Sequence, residues 1–155
     1  LKYRLLGEIA PELEQAPSFT FVLGSYGDLV VYPDRHTYIS WYPTCMKGWC
    51  SDVTTPPEWD GPSSGNSNRQ SAANIARETL AEFGKVIPGL ERSKIDIVDA
   101  GIIFSWGESD IDHLESQLHK RFDIGVHEYD GYFSIDTGKF TCAPYFAQEL
   151  LNRLK

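Results

Sequence analysis

The sequence predicts an α+β fold, a largely antiparallel β-sheet with helices packed on one face, and three observations carry that prediction. Short runs rich in aromatic and β-branched residues (19–23, 29–32 and 37–42) are separated by turn clusters. Helical spacing of apolar residues appears over Gln70–Val86 and again from Ala143 to Lys155. The element order β-β-β-loop-α-β-β-β-α does not alternate strand and helix regularly, which argues against a parallel sheet.

Leu1–Ala16 is charged and partly apolar and reads as a short helix or an entry segment. Gly24–Asp28 and Pro33–His36 are turn clusters, so the three strands around them form an antiparallel meander. Strand alternation places Tyr38, Ser40 and Tyr42 on one face and Ile39 and Trp41 on the other. Ser51–Ser67 holds three prolines, two glycines and four serines and reads as a long loop. In the helix that follows, Ala72, Ile75, Ala76, Leu80 and Phe83 share a face, and Pro88-Gly89 ends it. Lys94–Ser105 is mainly strand, and Gly107–Arg121 is polar, reading as loop with a helical turn. Phe122–Val126 and Tyr132–Ile135 are strands joined through Tyr129-Asp130-Gly131. Apolar residues at Ala143, Phe146, Ala147, Leu150, Leu151 and Leu154 line one face of the terminal helix, with Thr141 as its expected cap and Pro144 in its first turn.

The length of 155 residues suits a single domain spanning 1–155. Fourteen Lys and Arg against 22 Asp and Glu give a net charge of −8. That balance disfavours nucleic acid and anionic membranes as partners, because both need a basic face. The mean hydropathy of −0.32 is that of an ordinary water-soluble domain. No apolar run approaches the ~18 residues of a membrane span, and no leader peptide is visible. Cys45, Cys50 and Cys142 are an odd number for a disulfide framework, so reduced thiols and a cytoplasmic location are expected. Cys45 and Cys50 lack the Cys-x-x-Cys redox spacing and are assigned no chemistry.

The most informative stretch is Gly131-Tyr132-Phe133-Ser134-Ile135-Asp136-Thr137-Gly138-Lys139-Phe140-Thr141-Cys142-Ala143-Pro144. It runs from a strand through a Gly-Lys turn into a helix start, whose amides suit an anion or an electron-rich ring edge. A nucleotide phosphate loop requires Gly, four residues, then Gly-Lys-Ser/Thr. Here position 133 is Phe and Lys139 is followed by Phe140, so an ATP or GTP site is rejected.

Its Gly-Lys-x-Thr end is similar to that of flavin-dependent glycerol-3-phosphate dehydrogenases. The chain thus resembles the C-terminal, substrate-side part of FAD-dependent oxidoreductases of the D-amino-acid-oxidase-like superfamily. Gly27-Asp28-Leu29-Val30-Val31-Tyr32 with Tyr38-Ile39-Ser40-Trp41-Tyr42-Pro43 looks like the hairpin of such a substrate domain. Gly101-Ile102-Ile103-Phe104-Ser105-Trp106-Gly107 looks like the strand returning toward the flavin. The family's Gly-x-Gly-x-x-Gly dinucleotide fingerprint is missing, for the sequence contains no Gly-x-Gly. It also begins at Leu1 rather than Met. The expectation is therefore a fragment of a two-domain FAD-dependent oxidoreductase, whose FAD-binding domain belongs to the same polypeptide.

The resemblance implies that the parent protein oxidises a C–N or C–O bond of a small substrate and passes hydride to flavin. FAD is expected in the full-length parent, whereas the isolated chain is expected to be colourless and not catalytic. Thr137, Gly138, Lys139 and Thr141 are the implied flavin contacts, and the helix dipole there stabilises negative charge on the reduced ring. Arg121 suits a substrate carboxylate or phosphate through its planar fork, and His119 suits proton transfer near neutral pH. Tyr42, at the end of a strand, is the expected pocket aromatic. The bland alternatives are a capped turn for 137–141, a solvated basic cluster for His119 and Arg121, and sheet packing for Tyr42.

Two rival functions stand beside this one. A stand-alone α+β module binding a small ligand or a protein would need no flavin. A metal-dependent hydrolase would use Asp110, Asp112, His113, His119 and His127, but no His-Glu-x-x-His or Cys-x-x-Cys spacing is present, so no metal ligands are assigned. Serine-hydrolase chemistry lacks its Gly-x-Ser-x-Gly elbow.

Overall fold

The computed structural model describes residues 1–22, 26–103 and 124–155. The chain forms two compact units, Leu1–Phe104 and Ser105–Lys155. The architecture is α+β with mostly antiparallel pairing, as the sequence predicts.

The first unit is built on a five-stranded sheet of order β2-β3-β4-β1-β5. Its strands are β1 (Lys2–Glu8), β2 (Phe19–Phe21), β3 (Gly27–Val31), β4 (His36–Trp41) and β5 (Lys94–Gly101). The segment read as a short helix or entry segment is instead the internal strand β1, antiparallel to β4 on one side and β5 on the other. Its period-two pattern explains this: Tyr3, Leu5 and Gly7 are buried while Arg4 and Glu8 are exposed. The ladder shifts register between Leu6 and Gly7, and a Cβ at Gly7 would collide with the Lys94 carbonyl oxygen. Glycine is what lets the two strands approach there.

The core lies on the sheet face carrying Leu5, Leu29, Ile39 and Trp41. Helix α3 (Arg69–Gly84) covers it with Ile75 and Phe83. Trp41 and Phe83 stack at 4.4 Å with 16° between their planes, and Phe21 meets both edge-on. Asn68 caps α3 by accepting from the amides of Gln70 (2.9 Å) and Ser71 (3.2 Å). Gly89, at φ +100°, turns the chain after it. The stretch read as a long loop contains a 3₁₀ turn at Pro57–Trp59 and helix α2 (Asp60–Ser63). The buried indole of Trp59, which leaves no room for a side chain at Gly48, anchors that stretch.

The second unit, as far as it is described, is a hairpin of β6 (Gly125–Tyr129) and β7 (Tyr132–Asp136) followed by α4 (Ala143–Arg153). Asp130 (φ +50°) and Gly131 (φ +80°) form the two-residue turn that sets Tyr129 opposite Tyr132. Strand β6 thus continues to Tyr129, beyond the expected end at Val126, while Phe122 and Asp123 of the expected strand lie outside the described residues. Helix α4 meets the hairpin through buried Phe146 and through Arg153, whose Nη1 donates to the Val126 carbonyl at 2.8 Å. The apolar stripe that the spacing predicts is packed in part: Phe146 is buried and Ala143 and Leu150 are half-buried, whereas Ala147, Leu151 and Leu154 are exposed.

All three cysteines are free thiols, with Cys45 buried and the other two partly so. Among the described residues no helix is long and apolar enough to cross a membrane, and no cluster of His, Cys, Asp and Glu is suited to a metal ion.

Candidate functional site

The Gly-Lys turn is constructed from the end of β7. Asp136 Oδ1 accepts from the Gly138 amide at 2.9 Å, an Asx turn that bends the chain out of the sheet. Gly138 then takes φ +59°, and the Lys139 amide donates to the Thr137 carbonyl at 2.5 Å. Lys139 returns to extended backbone, and a 3₁₀ turn (Phe140–Cys142) leads directly into α4. The leading amides of such a helical start have no intrahelical acceptor, and the axial dipole points positive potential outward there.

One side of this turn is packed and one is open. A Cβ on Gly138 would sit 2.8 Å from Ile124 Cγ2, so the glycine is demanded by both its dihedral angle and its neighbour. Thr137 and Gly138 are half-buried, whereas Lys139, Phe140 and Thr141 are exposed, Phe140 to 92%. The sequence assigns Thr141 as the helix cap, and the structure corrects this. Thr141 lies inside the 3₁₀ turn, and the residue before α4 is Cys142, with no side-chain cap. The helical conformation begins one turn earlier than the periodicity implied, which moves the cap position away from the threonine.

In the first unit, Tyr42 opens a short helix α1 (Tyr42–Cys45) instead of ending β4. Its amide donates to the Tyr26 carbonyl at 2.7 Å, the two rings meet edge to face at 6.4 Å, and Lys2 Nζ lies 5.6 Å from the Tyr42 centroid. Behind it sits a buried polar knot. Thr44 Oγ1 and Thr79 Oγ1 share a hydrogen bond of 2.7 Å, and Thr44 Oγ1 also donates to the Trp41 carbonyl at 3.3 Å. Cys45 Sγ accepts from the Trp41 amide at 3.4 Å and lies 3.5 Å from Thr79 Oγ1. This knot fastens α1 to α3 and holds the turn that presents Tyr42.

The sheet face away from the core carries polar groups in register. Arg4 on β1 stands beside Asp99 on β5, and Ser40 on β4 stands beside Asp28 on β3. Arg4 donates to one Asp99 oxygen through Nη2 (2.6 Å) and Nε (3.2 Å). Tyr38, two residues before Ser40 on the same face, has its phenol pKa raised above the ordinary value. Burial is the main cause; the Ser40 hydroxyl opposes it and the Asp28 charge adds to it. Sequence reasoning grouped Tyr38, Ser40 and Tyr42 by alternation but left Asp28 in a turn cluster. The missing signal was cross-strand register, which a single strand's pattern does not contain.

Of the predicted site residues, Thr137, Gly138, Lys139 and Thr141 come together in the turn of the second unit, and Tyr42 stands in the first. His119 and Arg121 lie outside the described residues, as do Asp110, Asp112 and His113 of the metal alternative. Compared with known proteins, the chain matches no family model, no curated protein and no solved structure.

Proposed function

We propose that this chain is the substrate-side part of an FAD-dependent oxidoreductase whose dinucleotide-binding domain lies elsewhere in the same polypeptide. The turn at Thr137–Thr141 is the flavin-facing element in this reading. Its single strongest support is the sequence Gly-Lys-x-Thr set on a strand–turn–helix junction with an exposed edge. The helix start and Lys139 supply positive potential where a reduced ring carries negative charge, and Thr141 supplies a hydroxyl. The flavin, when bound, takes up hydride from a C–N or C–O bond; the chain's own task is to orient substrate, with Tyr42 and Arg121 as contacts and His119 as proton acceptor.

The test is the coding sequence upstream of Leu1. A strand followed by Gly-x-Gly-x-x-Gly is expected there, and a reading frame that opens at Leu1 would overturn the proposal. The second reading, a small-ligand module, is favoured by one observation: the polar face of the first unit's sheet keeps a carboxylate without a counter-ion.

A further inference from the structure

That carboxylate is Asp28. It is half-buried in the middle of β3, and among the described residues its carboxylate has no hydrogen bond and no ion pair. Removing a carboxylate from water without compensation is costly, and folded chains usually pair such groups. The cations of the same face are already engaged. Arg4, two strands away, is held by Asp99, and Lys2 lies over the Tyr42 ring. Beside Asp28 in register is Ser40, closed to solvent, whose Oγ meets no partner of hydrogen-bonding geometry. Buried hydroxyls are nearly always satisfied, so Ser40 is a second polar group on this face with bonding capacity to spare. Tyr38 completes the patch: its phenol lies near the Ser40 hydroxyl, feels the Asp28 charge and, with opposite sign, that of Arg4, and its side chain is only half-buried.

We propose that Asp28, Ser40 and Tyr38 form a binding site for an organic ammonium ion. The chemistry follows from what is unspent. One negative charge calls for a cation, and the hydroxyls of Ser40 and Tyr38 call for N–H donors. The Tyr38 ring, with Val30 and Leu6 paired to it in register on either side, calls for an apolar body on the cation. A bare metal ion fits poorly, because one carboxylate and two neutral hydroxyls supply too few hard ligands. The site rests on the first unit alone and holds or fails independently of the flavin proposal.

The test uses the whole chain, ¹⁵N-labelled, titrated near neutral pH with n-butylammonium, with butanoate and n-butanol as controls. Saturable amide shifts centred on Asp28, Tyr38 and Ser40 are expected with the amine alone. Asp28→Asn should weaken that binding by about tenfold or more, and Ser40→Ala by a smaller factor. Each variant's amide spectrum away from the patch reports that it is folded. Shifts that fail to saturate, shifts that butanoate reproduces, or an affinity indifferent to Asp28→Asn would each overturn the assignment.

Discussion

Gly138→Ala tests how the turn beside α4 is held. The alanine must adopt φ +59°, a left-handed conformation that costs an L-residue about 1–2 kcal/mol. Its Cβ also falls 2.8 Å from Ile124 Cγ2, closer than real carbon atoms approach, so Ile124 or the turn must move. Overpacking of this kind adds about 1–3 kcal/mol. Gly131→Ala in the same unit is the control: φ is +80°, and nothing lies within 4 Å of an added Cβ, so only the backbone cost applies. Amide hydrogen exchange along β6 and β7 is the assay, because it reads local opening of this hairpin. Gly138→Ala should speed exchange about tenfold beyond Gly131→Ala, tenfold being about 1.4 kcal/mol. In an Ile124→Ala background that excess should vanish. Equal penalties for the two glycines, or an excess that survives Ile124→Ala, would refute the packing account.

Thr79→Val should cost about 0.5–1.5 kcal/mol in urea unfolding, since it removes one of the two partners of the buried Thr44 hydroxyl and a neighbour of Cys45. The Thr44→Val/Thr79→Val pair should cost less than the sum of the two single changes, and strict additivity would contradict the shared bond. Phe83→Ala removes the fully buried ring that stacks on Trp41 and meets Phe21, with an expected loss of about 3–5 kcal/mol; a loss below ~1 kcal/mol would show that the site collapses freely. Tyr38 sets an alkaline limit. Its folded pKa is raised, so its contribution is intact below the ordinary phenol pKa of about 10 and is lost as pH rises through the folded value. Stability measured across that range should fall less steeply in Tyr38→Phe, and an identical alkaline slope would contradict the burial argument.

The parts legible in sequence were those whose pattern is local. Helix α3 announces itself through Ile75, Phe83 and the Pro88-Gly89 stop, and β3 and β4 through aromatic and β-branched runs between turns. Strand β1 was hidden because Arg4 and Glu8 occupy its outward positions, and a short charged alternation resembles an entry segment as much as a strand. The Gly-Lys turn was legible as a strand-to-helix junction, but its cap was misassigned because a 3₁₀ turn lengthens the helical start without altering apolar spacing. The pairing of Asp28 with Ser40 was invisible for a different reason: it depends on which strand lies beside which, and so on the whole sheet rather than on any one segment.

The place of β1 in that sheet has a consequence for how the first unit is made. Of this unit's strands, the first in chain order is the one that joins the meander to β5, yet its partner on that side is encoded about a hundred residues later, Lys2 meeting Gly101. Pairing with β4 can form early, but pairing with β5 must wait for nearly the whole unit to be synthesised, and such long-range closure slows acquisition of the final structure. A deletion that removed only the first ten residues would leave the meander and β5 with no strand between them, joined through the helix α3 that covers both.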